Sequence, residues 1–301
     1  MKLAMISDPH ILINKPIARL DDAVETSFSK MNFILSWCKG NNANLIIAGD
    51  LTDKPRSWHL LPRILDMFSN YQDVKVFAVF GQHDTYMYSE ETRDKTILGA
   101  LYSAGLVEIL GEKASSWSNL FGCSYGQKIP EVEYKNEKNI LVIHAPIAEA
   151  PLFPNHKYMD AKKFLKDNKD FDIILCGDIH KEFFIFDKQN RTILNTGPMI
   201  RKTADDYNFT FKPNFMVYDT VKDKFERVEI PHRPAEEVLS REHLDITEEK
   251  ELLRSKFTES LSKEIELDMS FTGNLEIFLK EKQIRKGIRD ILAEELSLIG
   301  G

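Results

Sequence analysis

Side chains able to bind metal ions follow apolar runs at several points of the chain. The first run, Leu3–Ile6, is interpreted as a buried strand and leads into Asp8-Pro9-His10. Proline lacks the N–H that a strand needs for its ladder, so the strand ends there and a loop begins. Later apolar runs lead into similar residues, and the candidate metal ligands are Asp8, His10, Asp50, Gln82, His144, Asp178 and His180. Because ligands of open α/β sheets bind at the carboxyl ends of the strands, we expect these side chains to converge.

This set of residue types points to a particular chemistry. Carboxylate and amide oxygens suit hard divalent cations, and imidazole suits the transition metals among them. A carboxylate that bridges two ions holds them about 3.5–4 Å apart, and such a pair lowers the pKa of water and neutralises a phosphate group. The sequence therefore predicts a two-metal centre that cleaves phosphate esters.

Each motif has a simpler interpretation when it is taken alone. Asp8 can cap a turn, Gly49-Asp50 can be a tight turn at a strand end, and His144 can be a hydrogen-bonded core histidine. The stretch Gly81–Asp84 can be a loop with a surface histidine. The joint occurrence of these motifs, each after an apolar run, is what favours the metal site over these alternatives.

The elements that would position these residues alternate between strands and helices in the first part of the chain. Apolar residues recur at helical spacing from Val24 to Cys38 and again from Leu61 to Phe68. Apolar strands are predicted at residues 45–48 and 74–80. This alternation predicts a parallel sheet with helices on its faces, and therefore an α/β fold.

Short strands with little helix between them dominate residues 120–230. We interpret this part as a second, β-rich sheet packed on the first. Pro231 and Pro234 suggest a domain edge near residue 232, and the apolar spacing beyond it is helical. The predicted domains are a domain of residues 1–232 that carries the metal ligands and a helical C-terminal region of residues 233–301.

Composition limits the classes of protein to consider. The 301 residues carry a net charge of −7, which argues against a strongly basic nucleic-acid binder. A nucleic-acid enzyme remains possible, because bound divalent cations would reverse the charge locally. No apolar run is long enough for a membrane span, Asp8 comes too early for a signal peptide, and the three cysteines include no CxxC pair. We therefore expect a soluble, cytoplasmic protein without membrane partners.

The order of the motifs DxH, GDxxD, GxHD, HxP and GxxH resembles the calcineurin-like metallophosphoesterases over roughly residues 1–232. The resemblance implies a four-layered α/β/β/α sandwich with a dinuclear metal site. It implies that one ion is held by Asp8, His10, Asp50 and His180, and that Asp50 bridges to a second ion completed by Gln82, His144 and Asp178. It also implies that His83, beside Asp84, contacts the phosphate and assists the leaving group, so this pair is the expected catalytic pair.

Two residues depart from the family pattern. Gln82 replaces the usual Asn, which keeps the amide oxygen but adds a methylene group. Asp178 replaces the first His of the usual GHxH motif. A carboxylate is a harder, anionic ligand than imidazole, so the expected cofactors are two divalent ions, Mn²⁺ or alternatively Mg²⁺.

Within this superfamily the chain looks most similar to the SbcD-type nuclease subunits of DNA repair and recombination complexes. Four segments are similar to theirs, namely Asp50–Pro55, Asn195–Pro198 with Arg201, Phe215–Asp219 and Pro231–Pro234. The resemblance implies a manganese-dependent DNA exonuclease and endonuclease that forms a homodimer. It further implies that C-terminal helices bind an SMC-like ATPase of the SbcC type. The chain is shorter than many of these nucleases, as a compact member from a virus or plasmid would be.

Other functions stay open at this point. The metal core alone does not distinguish a nuclease from a phosphatase or a cyclic-nucleotide phosphodiesterase. Gln82 and Asp178 also fit a scaffold that has kept the fold and lost the chemistry. The C-terminal helices can equally pack on their own catalytic domain instead of on a partner.

Overall fold

The computed structural model describes residues 1–111, 119–132 and 138–242. The chain divides into two units, Met1–Ser240 and Arg241–Gly301, and nearly all of the described residues belong to the first unit. The helices predicted between residues 245 and 299 lie outside the described residues.

Strands and helices alternate along most of the first unit. In chain order they are β1 (Lys2–Ile6), α1 (Ala23–Asn41), β2 (Ala43–Ile47), α2 (Leu61–Ser69), β3 (Val76–Ala78), α3 (Ile97–Ser103), β4 (Glu108–Ile109), β5 (Leu120–Cys123), β6 (Ile140–His144), β7 (Ile147–Ala148), β8 (Met159–Asp160), α4 (Ala161–Asp167), β9 (Ile173–Gly177), β10 (Phe183–Phe186), β11 (Thr192–Asn195), α5 (Asp206–Thr210), β12 (Asn214–Asp219), β13 (Lys224–Glu229) and α6 (Ala235–Val238). Three short 3₁₀ segments follow β3, at Gln82–Asp84, Tyr86–Tyr88 and Glu90–Lys95. Within the described ranges, no helix combines the length and the apolar character that crossing a bilayer requires.

The first sheet has the strand order β13-β12-β1-β2-β3-β4. Strands β1 to β4 run parallel, because α1, α2 and α3 carry the chain back between successive strands. Helix α1 begins where the Asp22 side chain accepts a hydrogen bond from the N–H of Glu25, and it ends at the left-handed Asn42. All carboxyl ends of β1, β2 and β3 consequently lie along one edge of this sheet.

The second sheet has the strand order β10-β11-β9-β6-β5. Strands β5, β6, β9 and β11 run parallel, and only β10 at its edge runs antiparallel to its neighbour. Strands β6 and β9 are adjacent and fully buried. The loops that follow them therefore emerge side by side.

Side chains alternate between the two faces of each sheet, and this divides the core into three apolar layers. In β1, Leu3 and Met5 face the second sheet, where they join Leu120, Val142 and Leu175. The intervening residues of β1 belong instead to the layer under α1, α2 and α3, and a third layer lies between the second sheet and α4. The predicted four-layered α/β/β/α sandwich is confirmed for the described residues.

The sheet membership of β12 and β13 differs from the prediction, which assigned every strand after residue 120 to the second sheet. Strand β12 pairs antiparallel with β1, in a register that places Leu3 opposite Tyr218, and β13 pairs with β12. The backbone groups of buried β1 need partners on both sides, and β2 supplies them on one side only. The returning chain supplies the other side. The resulting outer strand, β13, has mostly exposed side chains.

Residues after the predicted domain edge near residue 232 still pack on the first unit. Ala235, Val238 and Leu239 form a small apolar cluster with Ala18 and Ala204. The main chain is also bonded there, because the carbonyl of Ala18 accepts from the N–H of Ser240 at 2.9 Å. The first unit accordingly extends to Ser240, and the function expected for residues 233–301 stays a prediction.

Candidate metal centre

The loops after β1 and β2 meet the loops after β6 and β9 at one end of the two facing sheets. The N–H of Asp178 donates to both carboxylate oxygens of Asp8, at 2.9 and 3.1 Å. His144 Nδ1 lies 2.6 Å from the carbonyl oxygen of Ala48. Both contacts run from one sheet to the other, so they hold the two carboxyl edges against each other.

Four of the predicted site residues have a left-handed backbone conformation. The φ angles are 46° at Asp8, 44° at His10, 50° at Asp50 and 94° at Asp178. This conformation is uncommon in residues other than glycine, and sparsely populated conformations of this kind cost on the order of 1–3 kcal/mol each. Such residues persist only where their surroundings fix them, and they concentrate at functional sites. The backbone alone therefore marks this edge as a candidate site.

Asp8, His10 and His180 form one group of potential metal ligands. They each offer one ligand atom, and these atoms lie within 4.8 Å of one another. His10 Nε2 and His180 Nε2 are 2.9 Å apart, and His180 Nε2 is 4.0 Å from Asp8 Oδ1. The structure thus brings together three of the four residues predicted for the first ion, and the fourth, Asp50, places its Oδ2 3.6 Å from His10 Nε2.

Asp8, Asp50 and His144 form a second group, again with ligand atoms within 4.8 Å of one another. His144 Nε2 lies 3.6 Å from Asp50 Oδ2 and 2.6 Å from Gln82 Oε1. Three of the four residues predicted for the second ion therefore converge. Asp8 belongs to both groups, which the sequence did not indicate.

Asp50 occupies the position between the two groups. Its Oδ1 accepts a hydrogen bond from the N–H of His83 at 2.8 Å. Its Oδ2 is buried, has no hydrogen-bond partner, and lies 3.6 Å from both His10 Nε2 and His144 Nε2. A buried carboxylate oxygen without a partner is costly. This oxygen has the surroundings expected of a ligand shared by two cations.

Two hydrogen-bond acceptors face each other in the second group. Because the carbonyl of Ala48 can only accept, His144 Nδ1 carries the proton and Nε2 is left with a lone pair. The Gln82 amide nitrogen donates to Asp178 Oδ1 at 2.6 Å, which turns the Gln82 amide oxygen toward His144. The oxygen and the unprotonated Nε2 are then only 2.6 Å apart. Two acceptors at this distance repel each other unless a cation lies beside both, so the donor set fits a divalent metal ion.

The pKa shifts agree with this donor set. Burial lowers the pKa of His10 well below its ordinary value and lowers the pKa of His180 to about 3, so both rings are unprotonated at neutral pH. Burial raises the pKa of Asp50 to about 6, and burial together with the charge of Asp50 raises the pKa of Asp8. Unprotonated imidazole and ionised carboxylate are the forms that bind metals. A cation would remove the cost of keeping two buried carboxylates ionised.

Asp178 belongs to neither group among the described residues, although it was predicted as a ligand of the second ion. Its carboxylate accepts from the amide nitrogen of Gln82 instead. The extra methylene group of Gln82, compared with the usual Asn, lets the amide reach between Asp178 and His144. The two departures from the family pattern are therefore in direct contact with each other.

His83 lies at the open side of the site. Its side chain is 42% exposed, and its Nε2 is 4.0 Å from Asp50 Oδ2. Its Nδ1 lies 3.0 Å from the carbonyl oxygen of Asp53, which fixes the ring and leaves Nε2 toward the site. No motif in the sequence indicated that a backbone carbonyl would hold this ring.

Asp84, predicted as the second catalytic residue, faces the backbone. Its carboxylate accepts from the N–H of Gly81 at 3.0 Å and from the N–H of Thr52 at 3.5 Å. The side chain is buried, and this burial raises its pKa to about 7. In this position Asp84 holds the turn that presents Gln82 and His83.

Lys202 is a charged residue of the site that the sequence analysis did not single out. Burial lowers its pKa, and the carboxylates of Asp8, Asp50 and Asp53 oppose that shift. It also contributes to the lowered pKa of His10. Its neighbour in sequence, Arg201, had been noted, but no spacing rule pointed to the lysine.

The chain has recognisable relatives at the level of families and folds. A family model described as calcineurin-like phosphoesterase matches residues 1–182. A dimetal phosphatase from Danio rerio is similar in structure, with 12% sequence identity and a TM-score of 0.49 over 78% of this chain and 97% of that chain. A 5'-nucleotidase precursor from Thermus thermophilus has 9% identity and a TM-score of 0.40 over 88% of this chain and 60% of that one. Wild-type Vps29 complexed with zinc, from Entamoeba histolytica, has 15% identity and a TM-score of 0.32 over 76% of this chain and 99% of that chain. No curated protein matches the chain in sequence.

Proposed function

Because the chain belongs to the calcineurin-like phosphoesterase family, we propose that it is a metal-dependent phosphodiesterase that cleaves DNA. The observation that carries the proposal is the buried, unpartnered Oδ2 of Asp50, which lies 3.6 Å from an imidazole nitrogen on each side. A carboxylate oxygen in these surroundings suits a ligand shared by two cations.

The ligand sets follow from the two groups of side chains. Asp8, His10, Asp50 and His180 would hold one ion, and Asp50, Gln82 and His144 would hold the other, with Asp8 beside both. Oxygen ligands outnumber nitrogen ligands around the second ion, which favours Mn²⁺ or Mg²⁺ over softer metals. When bound, such ions supply positive charge that polarises a phosphate ester and activates water.

The chain's own residues would orient the substrate and move the proton. His83 is exposed toward the site, and its Nδ1 is held by the carbonyl of Asp53, so its Nε2 is free to contact a phosphate oxygen. When Nε2 also carries a proton, a histidine so held can donate a hydrogen bond to a phosphate oxygen and deliver that proton to the leaving oxygen, while the Asp53 carbonyl keeps the proton on Nδ1. Asp84 would act as a positioning residue, because it bonds the backbone of the turn that carries His83.

The preference for DNA rests on the similarity of four segments to SbcD-type nucleases. One of these, Asn195–Pro198, adjoins the metal centre. Thr196 Oγ1 accepts from the N–H of Ser7, and the Asn195 side chain bonds the backbone of both Ile179 and Gly197. The segment therefore braces the loops that carry Asp8 and His180. We infer that it serves the same purpose as the corresponding segment of those nucleases.

The same similarity supplies the proposed partners. The chain would act as the nuclease subunit of an SbcCD-type complex for DNA repair or recombination, as a homodimer. Residues beyond the first unit would bind an SMC-like ATPase through amphipathic helices.

A cleavage assay tests the catalytic proposal. We expect the 301-residue chain to degrade linear DNA in Mn²⁺ and not in chelator. The Asp50→Ala variant should lose the activity, and His83→Ala should lose about 10²–10⁴-fold, because it removes a general acid. His156→Ala is the matched control, since the His156 ring contacts Phe153 and Tyr158 and belongs to neither ligand group. Equal cleavage by all variants would contradict the assignment, and strong phosphomonoesterase activity with weak cleavage of DNA would favour a phosphatase.

A non-catalytic scaffold is the second candidate, because one specific contact favours it. The hydrogen bond from the Gln82 amide nitrogen occupies Oδ1 of Asp178, a residue that was expected to bind the second ion. Metal analysis at saturating Mn²⁺ distinguishes the two functions. We expect two ions per chain for the enzyme, whereas one ion or none would support the scaffold.

A further inference from the structure

A cavity of about 580 Å³ opens on the first unit beside the N-terminal half of α1. Its lining includes Arg19, Asp21, Lys30, Phe33, Arg201 and Arg233, and we call it the cationic cavity. None of the metal-centre residues lines it, among the described residues. It therefore needs an explanation of its own.

Three cationic side chains are buried around this cavity. Arg19 is 3% exposed, Lys30 is 4% exposed and Arg201 is 3% exposed. Lysine and arginine are almost never fully buried unless a partner of opposite charge accompanies them. These three cations therefore need negative charge nearby.

The carboxylates that line the cavity are engaged elsewhere. Asp21 accepts two hydrogen bonds from Arg19, each of 2.8 Å, and a third from Thr26. Asp22 caps the first turn of α1, and Glu25 forms an ion pair with Arg63 outside the lining. Arg19 is thus satisfied, while the hydrogen bonds that Lys30 and Arg201 donate go to main-chain carbonyls.

Lys30 and Arg201 have unused hydrogen-bonding capacity. Lys30 Nζ can donate three hydrogen bonds, and it donates one, to the carbonyl of Met199 at 2.8 Å. Arg201 Nη2 donates to the carbonyl of Arg233 at 2.6 Å, while its buried Nε has no partner. Burial lowers the pKa of Lys30, and the nearby charges of Arg201 and Arg19 lower it further. Within the described part of the chain, neither Lys30 nor Arg201 forms an ion pair with a carboxylate, although the charge of Asp21 acts on both and that of Glu236 acts on Arg201.

We propose that the cationic cavity is a second ligand site, which takes the phosphate group of free phosphate or of a small phosphate ester. A phosphate group offers several acceptor oxygens, and both guanidinium and ammonium groups bind it through charge-assisted hydrogen bonds. Lys30 Nζ is the donor that would meet it, and the guanidinium of Arg201, whose Nε has almost no accessible surface, would supply positive charge beside it. The half-buried ring of Phe33 in the same lining offers apolar surface to an organic substituent.

This site is separate from the metal centre, although one segment adjoins both. The N–H of Met199 points to the carbonyl of Asp8 at 3.4 Å, whereas the carbonyl of Met199 accepts from Lys30. Arg201 faces the cavity, and the next residue, Lys202, interacts with the carboxylates of the metal centre. The cationic cavity would bind phosphate whether or not the metal centre cleaves DNA.

Calorimetric titration of the 301-residue chain tests the site. Inorganic phosphate and a mononucleotide are the probes, each used with the protein as purified and again in chelator, which prevents divalent ions from binding phosphate. We expect saturable binding of one equivalent in chelator. Lys30→Met, which keeps the length of the side chain and removes its charge, should weaken that binding by about tenfold or more. Tighter binding of the mononucleotide than of phosphate would identify an ester as the ligand, and equal binding would identify free phosphate.

Lys39→Met is the matched control, because Lys39 lies on the same helix, is 51% exposed and pairs with Asp73 outside the cavity. It should bind phosphate as the wild type does. Lys30→Arg keeps the positive charge and should retain most of the phosphate binding. If Lys30→Met does not fold, Arg201→Gln is a second variant that should lose phosphate binding. The proposal is wrong if neither probe binds the wild type saturably in chelator, or if a folded Lys30→Met or Arg201→Gln variant binds as tightly as the wild type.

Discussion

Individual protons decide what the metal-centre histidines can do. The carbonyl of Ala48 fixes the proton of His144 on Nδ1, and the carbonyl of Asp53 does the same for His83. Each ring is therefore oriented by a main-chain atom, and each presents Nε2 to the site. His10 lacks such a partner, because its buried Nδ1 is unbonded. Orientation by the backbone explains why these loops must keep their positions, since a small shift would re-aim the rings.

Cys38 gives a prediction that depends on pH. Burial raises the pKa of the Cys38 thiol to about 12, whereas an exposed thiol has a pKa of about 8.5. The folded state therefore retains a proton that the unfolded state releases. The contribution of this thiol to the free energy of unfolding is fully present below about pH 8.5 and is lost as the pH rises. By pH 10 the loss from this thiol is about 2 kcal/mol. The free energy of unfolding, measured in denaturant at pH 8 and pH 10, should fall by about 2 kcal/mol less in Cys38→Ala than in the wild type.

Each protein is compared with itself at the two pH values. The destabilisation caused by the cavity that Ala leaves is the same at pH 8 and pH 10, so it cancels from the change. Reducing agent keeps the three buried thiols free. An identical dependence on pH in the two proteins would show that Cys38 does not titrate as its burial implies.

Strand ends, and the glycines among them, set the spacing between the two sheets. Gly177, the last residue of β9, lies against the carbonyl of Ala48 and the ring of His144, where any Cβ would collide with both. This close approach lets His144 Nδ1 reach the Ala48 carbonyl at 2.6 Å. A glycine at a strand end is often interpreted only as part of a turn, but this one permits contact between sheets.

Gly177→Ala should consequently damage both the fold and the metal centre. The obstructing atom belongs to the backbone and cannot move aside, so we expect a destabilisation of about 1–3 kcal/mol. Displacement of His144 should also weaken Mn²⁺ binding, as measured by calorimetry. Gly40→Ala is the matched control, because no atom lies within 4 Å of its Cβ position in α1, and it should stabilise by about 0.5–1 kcal/mol. Thermal unfolding of Gly177→Ala at the wild-type temperature would contradict the role given to this contact.

Over the whole molecule, the candidate site exists only where both sheets are present. Asp8 and Asp50 follow strands of the first sheet, whereas His144 and His180 lie at or after the ends of strands of the second. The first sheet is itself completed late in the chain, when β12 pairs with β1 in a register that joins Lys2 to Asp219. Neither half of the first unit can therefore assemble the centre alone.

The limit of the first unit leads to a truncation experiment. A chain that ends at Ser240 keeps the apolar cluster of Ala235, Val238 and Leu239, so it should fold and retain Mn²⁺-dependent activity. A chain that ends at His232 exposes Ala18 and Ala204 and should unfold at a lower temperature. If residues 241–301 bind the SMC-like ATPase as proposed, the chain that ends at Ser240 should lose co-purification with it and keep its activity. Loss of folding on truncation at Ser240 would show instead that these residues belong to the core.

The sequence by itself determined the candidate ligands and the layers of the fold. An apolar run that ends in Asp8 and His10, or in Asp50, predicts which neighbouring residues are buried and where the strand ends. Helical and strand spacing report which faces are apolar. Such signals need no knowledge of distant residues, which explains why a parallel sheet covered by helices, a second β-rich sheet and the candidate ligand positions were predictable. The four-layered α/β/β/α arrangement was implied by the resemblance to the calcineurin-like family.

Only the tertiary structure decided how distant groups meet. Several features of the site join residues that are far apart in the chain or involve main-chain atoms. They are the contact between Gln82 and Asp178, the hydrogen bonds of Asp84 to the backbone, the charge of Lys202 near Asp8, and the pairing of β12 with β1. The periodicity of a sequence does not show which distant atom a side chain or a backbone carbonyl will contact. Their partners are selected by how the two sheets pack, and that packing is a property of the folded molecule.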